Sequence, residues 1–202
     1  FEIREYLREA YRVISQDFAF YPREKVVILL YEEAEYRQLS QTPAWTAGHY
    51  DGKVRLPAYK QAVNVQEIKK LIWHELTHFF IQRLSRGGCP LWLNEGLAQV
   101  EENKVKRIDL GYFRAALTGK YLLSMEELEK GYGEDAGATD VFLFYQQSYA
   151  VTDHLVKKYR MFKVKEMLAA FGRGKTADQV FEEILGISRG AFEIKWLASL
   201  KT

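Results

Sequence analysis

The residues best suited to chemistry lie in one short run, Leu71-Ile72-Trp73-His74-Glu75-Leu76-Thr77-His78-Phe79-Phe80. The run contains H-E-x-x-H. An α-helix turns once per 3.6 residues, so His74 and His78 fall on one face, a turn apart. Two imidazoles at that spacing can grip one zinc ion. Glu75 is turned aside from the metal axis and is free to act as general base on a metal-activated water. A catalytic zinc takes a third protein ligand and keeps a fourth position open. Glu95, within Pro90-Leu91-Trp92-Leu93-Asn94-Glu95-Gly96-Leu97-Ala98-Gln99, is the natural third ligand. Among Trp92, Leu93, Leu97 and Ala98 an unpaired carboxylate would be costly, and a metal ion removes that cost. The bland alternatives are two ordinary histidines beside a helix glutamate, and a half-exposed Glu95.

These residues must be carried by well-marked elements. Asn64 is a good N-cap, Glu67 completes a capping box three residues on, and Ile68, Leu71, Ile72, Leu76, Phe79 and Phe80 recur at helical spacing. Gly87-Gly88 and then Pro90 end this helix, and a second helix starts at the Pro90 stretch. Upstream, residues 2–17 read as an amphipathic helix and Val26-Val27-Ile28-Leu29-Leu30 as a buried strand. Residues 32–39 read as a short helix, 42–45 as a loop and 48–52 as a turn. Lys53-Val54-Arg55-Leu56 alternates polar and apolar, as a half-exposed strand does, and Pro57 is expected to end it. Downstream, residues 109–117 form a short helix, and Ser124-Met125-Glu126-Glu127 is a capping box opening another. An acidic, glycine-bearing loop over 131–137 leads to a long helix capped by Thr139 or Asp140 and running to about Tyr159. Three further helices cover 162–171, 177–185 and 189–200.

The pair H-E-L-T-H and W-L-N-E-G-L-A is similar to the gluzincin metallopeptidases. It is closest to the peptidase MA-like bacterial domains and more distant from the thermolysin and aminopeptidase N branches. The likeness is firm over residues 25–160 and looser beyond. It implies an α+β chain with a zincin-like metallopeptidase fold, a small N-terminal sheet followed by a mostly helical lobe. The expected organisation is one catalytic domain, 1–202, with an N-terminal α/β part (1–63), zinc-site helices (64–103) and a helical lobe (104–202). The resemblance implies one Zn2+ held by His74, His78 and Glu95, with Glu75 as general base. It places Lys53, Val54, Arg55 and Leu56 on the lip of the cleft, where an extended peptide would add as another strand. The alternative for that strand is a plain structural edge.

Tyr145-Gln146-Gln147-Ser148-Tyr149 resembles the segment that carries a catalytic tyrosine in the aminopeptidase N branch. By that match Tyr145 would donate a hydrogen bond to the oxyanion, and Tyr149, one turn on, is the other candidate. This chain departs from the pattern in having Gln146 and Gln147 in place of a charged pair. It also has Gln99 where a thermolysin-type site has a carboxylate that orients a ligand histidine, although Glu101 and Glu102 are close. His49 reads as a turn residue, His154 as a structural or surface histidine, and Cys89 as a small buried residue.

With 202 residues, 48% hydrophobic and 28% charged, the chain suits one globular domain, and a net charge of +2 makes no case for nucleic acid. No apolar run approaches the roughly 18 residues of a membrane span. A single cysteine forms no internal disulfide. Phe1 in place of Met leaves room for a signal peptide, an anchor or further domains upstream. Families of this look are often extracytoplasmic in bacteria, and compartment is expected on that resemblance alone. The expected partner is a peptide or protein substrate. The glutamate motif by which aminopeptidases recognise a free amine is absent before the zinc helix, where Gly-Lys-Val-Arg-Leu stands, and this favours an endopeptidase or a very narrow processing enzyme. Two other readings stay open: a catalytically silent zinc-binding domain that holds a peptide or protein, and a helical interaction module without metal. A complete Glu75 beside three ligands speaks against the silent domain, because a pure binder needs no base.

Overall fold

In the computed structural model, residues 2–32, 35–36, 49–58, 65–133 and 135–200 are described. The chain builds around one helix, α2 (Val65–Ser85), whose stretch from Ile72 to Ile81 is buried except at the half-buried His74. Ile72, Trp73, Leu76, Phe79, Phe80 and Ile81 are all buried. The N-terminal helix α1 (Glu2–Phe18) lays its stripe of Ala10, Ile14 and Phe18 against it. The rings of Tyr11, Phe18 and Phe20 surround Phe80 at centroid distances of 5.3, 6.2 and 6.3 Å.

Another side of α2 is covered by a three-stranded sheet of β1 (Ile28–Glu32), β2 (His49–Tyr50) and β3 (Val54–Ala58), in the order β1-β3-β2. β1 runs parallel to β3, with Ile28 opposite Val54 and Glu32 opposite Ala58. β2 is antiparallel and pairs His49 with Arg55 and Tyr50 with Val54. Val54 and Leu56 point into the core.

Three strand expectations differ from what is found. The first strand starts at Ile28, two residues after Val26, and Val27 and Leu30 are exposed. The strand expected over Lys53–Leu56 starts at Val54 and passes through Pro57. It is also central, not the free lip strand that would take an added peptide. The Val54 amide donates to the Val27 carbonyl on the β1 side, so by alternation Arg55 and Pro57 face the β2 side. Arg55 is already paired there. Pro57 has no N–H to offer, and it sits beyond the short β2 ladder, where none is required.

The rest is helical: α3 (Leu91–Glu102), α4 (Gly111–Gly119), α5 (Met125–Lys130), α6 (Ala138–Phe171), α7 (Ala177–Val180), a π-helical turn (Phe181–Leu185) and α8 (Arg189–Ser199). The Ser124/Glu127 capping box of α5 forms as expected. The long helix is capped by Gly137 rather than by Thr139 or Asp140; Asp140 lies in its first turn, where a negative charge complements the helix dipole. At Arg160 (φ 68°, ψ 154°) α6 leaves helical geometry, which separates the two helices expected on either side. The expected cap Asn64, most of the short helix at 32–39 and the 42–45 loop lie outside the described residues. No helix among the described residues is long and apolar enough to cross a membrane.

Two glycines let the central helices approach closely. A Cβ on Gly96 of α3 would lie 2.1 Å from Thr152 Oγ1 and 2.5 Å from the Ser148 carbonyl oxygen of α6. A Cβ on Gly88, between α2 and α3, would lie 2.5 Å from the Phe171 carbonyl oxygen. The helix carrying Glu95 is thus pressed against the helix carrying Tyr145.

Candidate metal centre

α2 and α3 bring His74, His78 and Glu95 together. Their nearest ligand atoms all lie within 4.8 Å of one another. His74 Nε2 is 3.4 Å from Glu95 Oε2, and His78 Nε2 is 3.9 Å from Glu95 Oε1. Two ligands on a tetrahedral zinc at its usual bond lengths stand roughly 3.4 Å apart. The two imidazoles meet edge to face at 4.8 Å, as the one-turn spacing requires.

Each imidazole has its other nitrogen occupied. Nδ1 of His74 is 2.9 Å from Glu102 Oε2, and Nδ1 of His78 is 3.1 Å from Asn94 Oδ1. With Nδ1 donating, Nε2 is the ring nitrogen that each histidine turns toward Glu95. Glu102 also takes Lys70 at 3.3 Å. The carboxylate that orients His74 is therefore Glu102. Gln99 instead donates its amide to the carbonyls of Glu95 (3.3 Å) and Tyr145 (2.9 Å), and so clamps the backbone of α3 to that of α6.

The electrostatics favour positive charge among these residues. Burial alone would lower the basicity of His74. Hydrogen bonds to Glu102 and Glu95, with the charges of Glu75 and Glu95, overcome this and hold it well above its ordinary value. Burial would raise Glu95, but the charge of His78 and the contact with His74 bring it below the usual carboxylate value. Glu75 is 4% exposed, and its Oε2 has no hydrogen-bond partner. Burial pushes its pKa up to about 7 against the pull of His74, with the charges of Glu95 and Glu102 adding to the rise. A buried acceptor with an unused oxygen beside three converging ligand atoms is placed to bind and deprotonate a small polar molecule.

Tyr145 comes to this site through the Gln99 clamp. Burial, the charge of Glu95, the neighbouring Tyr132 hydroxyl and the charge of Glu75 all hold its phenol in the protonated, hydrogen-donating form. Tyr149 is also buried, but its charged neighbours are Asp153 and Arg107. Gln146 and Gln147, which stand in place of a charged pair, have structural partners. Gln146 Oε1 accepts from the Phe113 amide at 2.9 Å, and Gln147 Oε1 accepts from the Leu123 amide at 2.9 Å.

Of the four strand residues expected to meet substrate, Val54 and Leu56 are core and Lys53 is exposed in the bend before β3. The Arg55 guanidinium is held by Asp51 (2.9 Å) and by the Tyr31 hydroxyl. Cys89 is half-buried, and burial together with the charges of Glu129 and Glu95 keeps its thiol well above the usual range and protonated. His154 is 3.3 Å from Ser199 Oγ. His49 belongs to β2.

Sequence reasoning missed three residues of this site: Asn94, Glu102 as the partner of His74, and Tyr132. A signal existed for Glu102, since it follows Glu95 by seven residues, two helical turns on the same face. Asn94 adjoins Glu95 in the motif itself.

Residues 9–202 match the family model described as the peptidase MA superfamily. No curated protein and no solved structure matches the chain.

Proposed function

Because the chain belongs to the peptidase MA superfamily, we propose that it is a zinc-dependent peptidase of the endopeptidase kind, with a zincin-like arrangement of its site. One observation carries this reading. Three ligand atoms converge with both remaining imidazole nitrogens already satisfied, next to a buried glutamate whose second oxygen has no partner.

His74 and His78 would hold the ion through Nε2 and Glu95 through its carboxylate. Zinc bound there would act as a Lewis acid, making water more acidic and polarising the substrate carbonyl. The other steps belong to the protein. Glu75 takes the proton of the attacking water and then passes it to the leaving amine. A buried carboxylate next to the ligand residues, with an oxygen that has no partner, suits both transfers. Tyr145 donates its hydroxyl proton to the oxyanion as the tetrahedral intermediate forms. Glu102 and Asn94 keep the two imidazoles in the Nδ1–H tautomer.

The test compares wild type with Glu75→Gln for bound zinc and for cleavage of casein. The reading expects both proteins to hold about one zinc and only wild type to cleave. If both hold zinc and neither cleaves, the catalytically silent binding domain replaces it. If wild type takes up no zinc when zinc is supplied, the ligand assignment fails.

A further inference from the structure

We propose that Tyr132 is a positioning residue of this site, its phenol holding the Tyr145 hydroxyl so that the single Tyr145 proton is directed at the reacting carbonyl. The inference rests on the peptidase reading above. The two hydroxyl oxygens are 3.3 Å apart, and among the described residues each phenol has the other as its hydrogen-bond partner. Tyr132 is 37% exposed and comes from the segment between α5 and α6, not from a helix of the site. Its ring stands edge-on to Phe144 at 5.1 Å and tilted against Tyr145 at 6.0 Å.

The root of this segment is tied to the helix that carries Glu95. Trp92 Nε1 of α3 donates to Glu129 Oε2 of α5 at 2.8 Å. The next turn ends at Gly131 (φ 76°), which packs beside Leu91. Tyr132 therefore leaves from a fixed point and reaches Tyr145, whose own carbonyl is clamped to that of Glu95 through Gln99.

The chemistry follows from counting donors. A phenol has one proton to give and an oxygen that accepts. If Tyr145 gives its proton to the developing oxyanion, its oxygen is free to accept one, and Tyr132 is placed to supply it. Donation in that direction polarises the Tyr145 O–H and strengthens the bond it makes in turn. It also removes the competing arrangement in which Tyr145 spends its proton on Tyr132. At 3.3 Å the contact is longer than a fully formed O–H···O bond, as catalytic hydrogen bonds often are before substrate arrives.

The experiment is a double-mutant cycle on zinc-loaded protein, using Tyr132→Phe, Tyr145→Phe and both together. Phenylalanine keeps each ring and removes only the hydroxyl. The readouts are kcat and KM on fluorescein-labelled casein, and calorimetric binding of a phosphinic peptide, whose tetrahedral oxygens mimic the oxyanion. Tyr132→Phe is expected to lower kcat about tenfold, the size of effect expected of a residue that orients a reacting group, with KM nearly unchanged. It should weaken phosphinate binding in the same proportion and cost nothing further in the Tyr145→Phe background. A loss that persists undiminished without the Tyr145 hydroxyl, or no loss in an active wild type, overturns the proposal. A rise in KM alone also overturns it and makes Tyr132 a ground-state contact. A wild type that neither cleaves casein nor binds the phosphinate ends the peptidase reading, and this proposal with it.

Discussion

Two buried glutamates on neighbouring helices have nearly the same electrostatics and different surroundings. Glu75 on α2 and Glu101 on α3 each have one carboxylate oxygen without a partner, and burial pushes each to about 7. Around Glu101 the charges close on themselves. Lys104 lies 2.6 Å from it and 2.6 Å from Asp17 of α1, a network that joins two helices and, among the described residues, gathers no group of three metal ligands. Around Glu75 they do not close. His74, His78 and Glu95 bring their ligand atoms within 4.8 Å of one another, and among the described residues no lysine pairs with Glu75. A perturbed carboxylate is thus common to scaffolding and to chemistry. The distinguishing mark is a set of converging ligand atoms beside it.

The largest effect that would break this comparison is on turnover. Glu75→Gln should lower kcat by about 10³-fold while metal content stays unchanged, whereas Glu101→Gln should leave casein cleavage within about twofold. Equal losses in the two variants would erase the distinction.

Stability against pH gives the second contrast. The folded chain holds the Glu101 proton up to about pH 7, while the unfolded chain releases it near the ordinary value of 4.5. Between those values the native state binds more protons, so Glu101 makes metal-free protein less stable as pH rises, by at most about 3 kcal/mol, with no further change above the folded pKa. Glu75 has the same sign in the metal-free protein, so the Glu101 share is read as a difference. Urea unfolding of metal-free wild type should weaken from pH 5 to pH 8, and Glu101→Gln should flatten that slope in part. An unchanged slope would show that Glu101 ionises freely in the fold.

Smaller effects sharpen the comparison from the packing side. Gly96→Ala places a methyl group against Thr152 and Ser148 and should cost about 1–3 kcal/mol. It should also separate Glu95 from Tyr145 and lower activity beyond what the unfolded fraction explains, as circular dichroism melts alongside kcat would show. Glu102→Gln keeps an acceptor for His74 but removes the charge. Zinc affinity should fall by about 10-fold, at the lower end of the range for residues that orient a ligand, with the fold intact in a chelator competition.

What could be read in the sequence was local. The one-turn spacing of His74 and His78, the Glu95 stretch and the Ser124/Glu127 box each depend on a few consecutive residues, and the structure assembles each of them. Strand order depends on pairing between distant segments, so the central place of β3 and its passage through Pro57 could not be read from Lys53–Leu56. The break at Arg160 is a left-handed backbone at a non-glycine residue, and nothing in its side chain announces it. Gln99 holds the position that the family resemblance points to, while the nearby Glu102, two turns beyond Glu95, makes the contact. Tyr132 is one of 13 tyrosines, and only the folded path of its segment singles it out.

The most direct test of the account is a zinc titration of chelator-treated protein, read at once by calorimetry and by casein cleavage. The account predicts saturation at about one equivalent, cleavage that rises in step with occupancy, and neither signal in Glu95→Gln. Cleavage that is full before zinc is added, or that continues unchanged in Glu95→Gln, would contradict it.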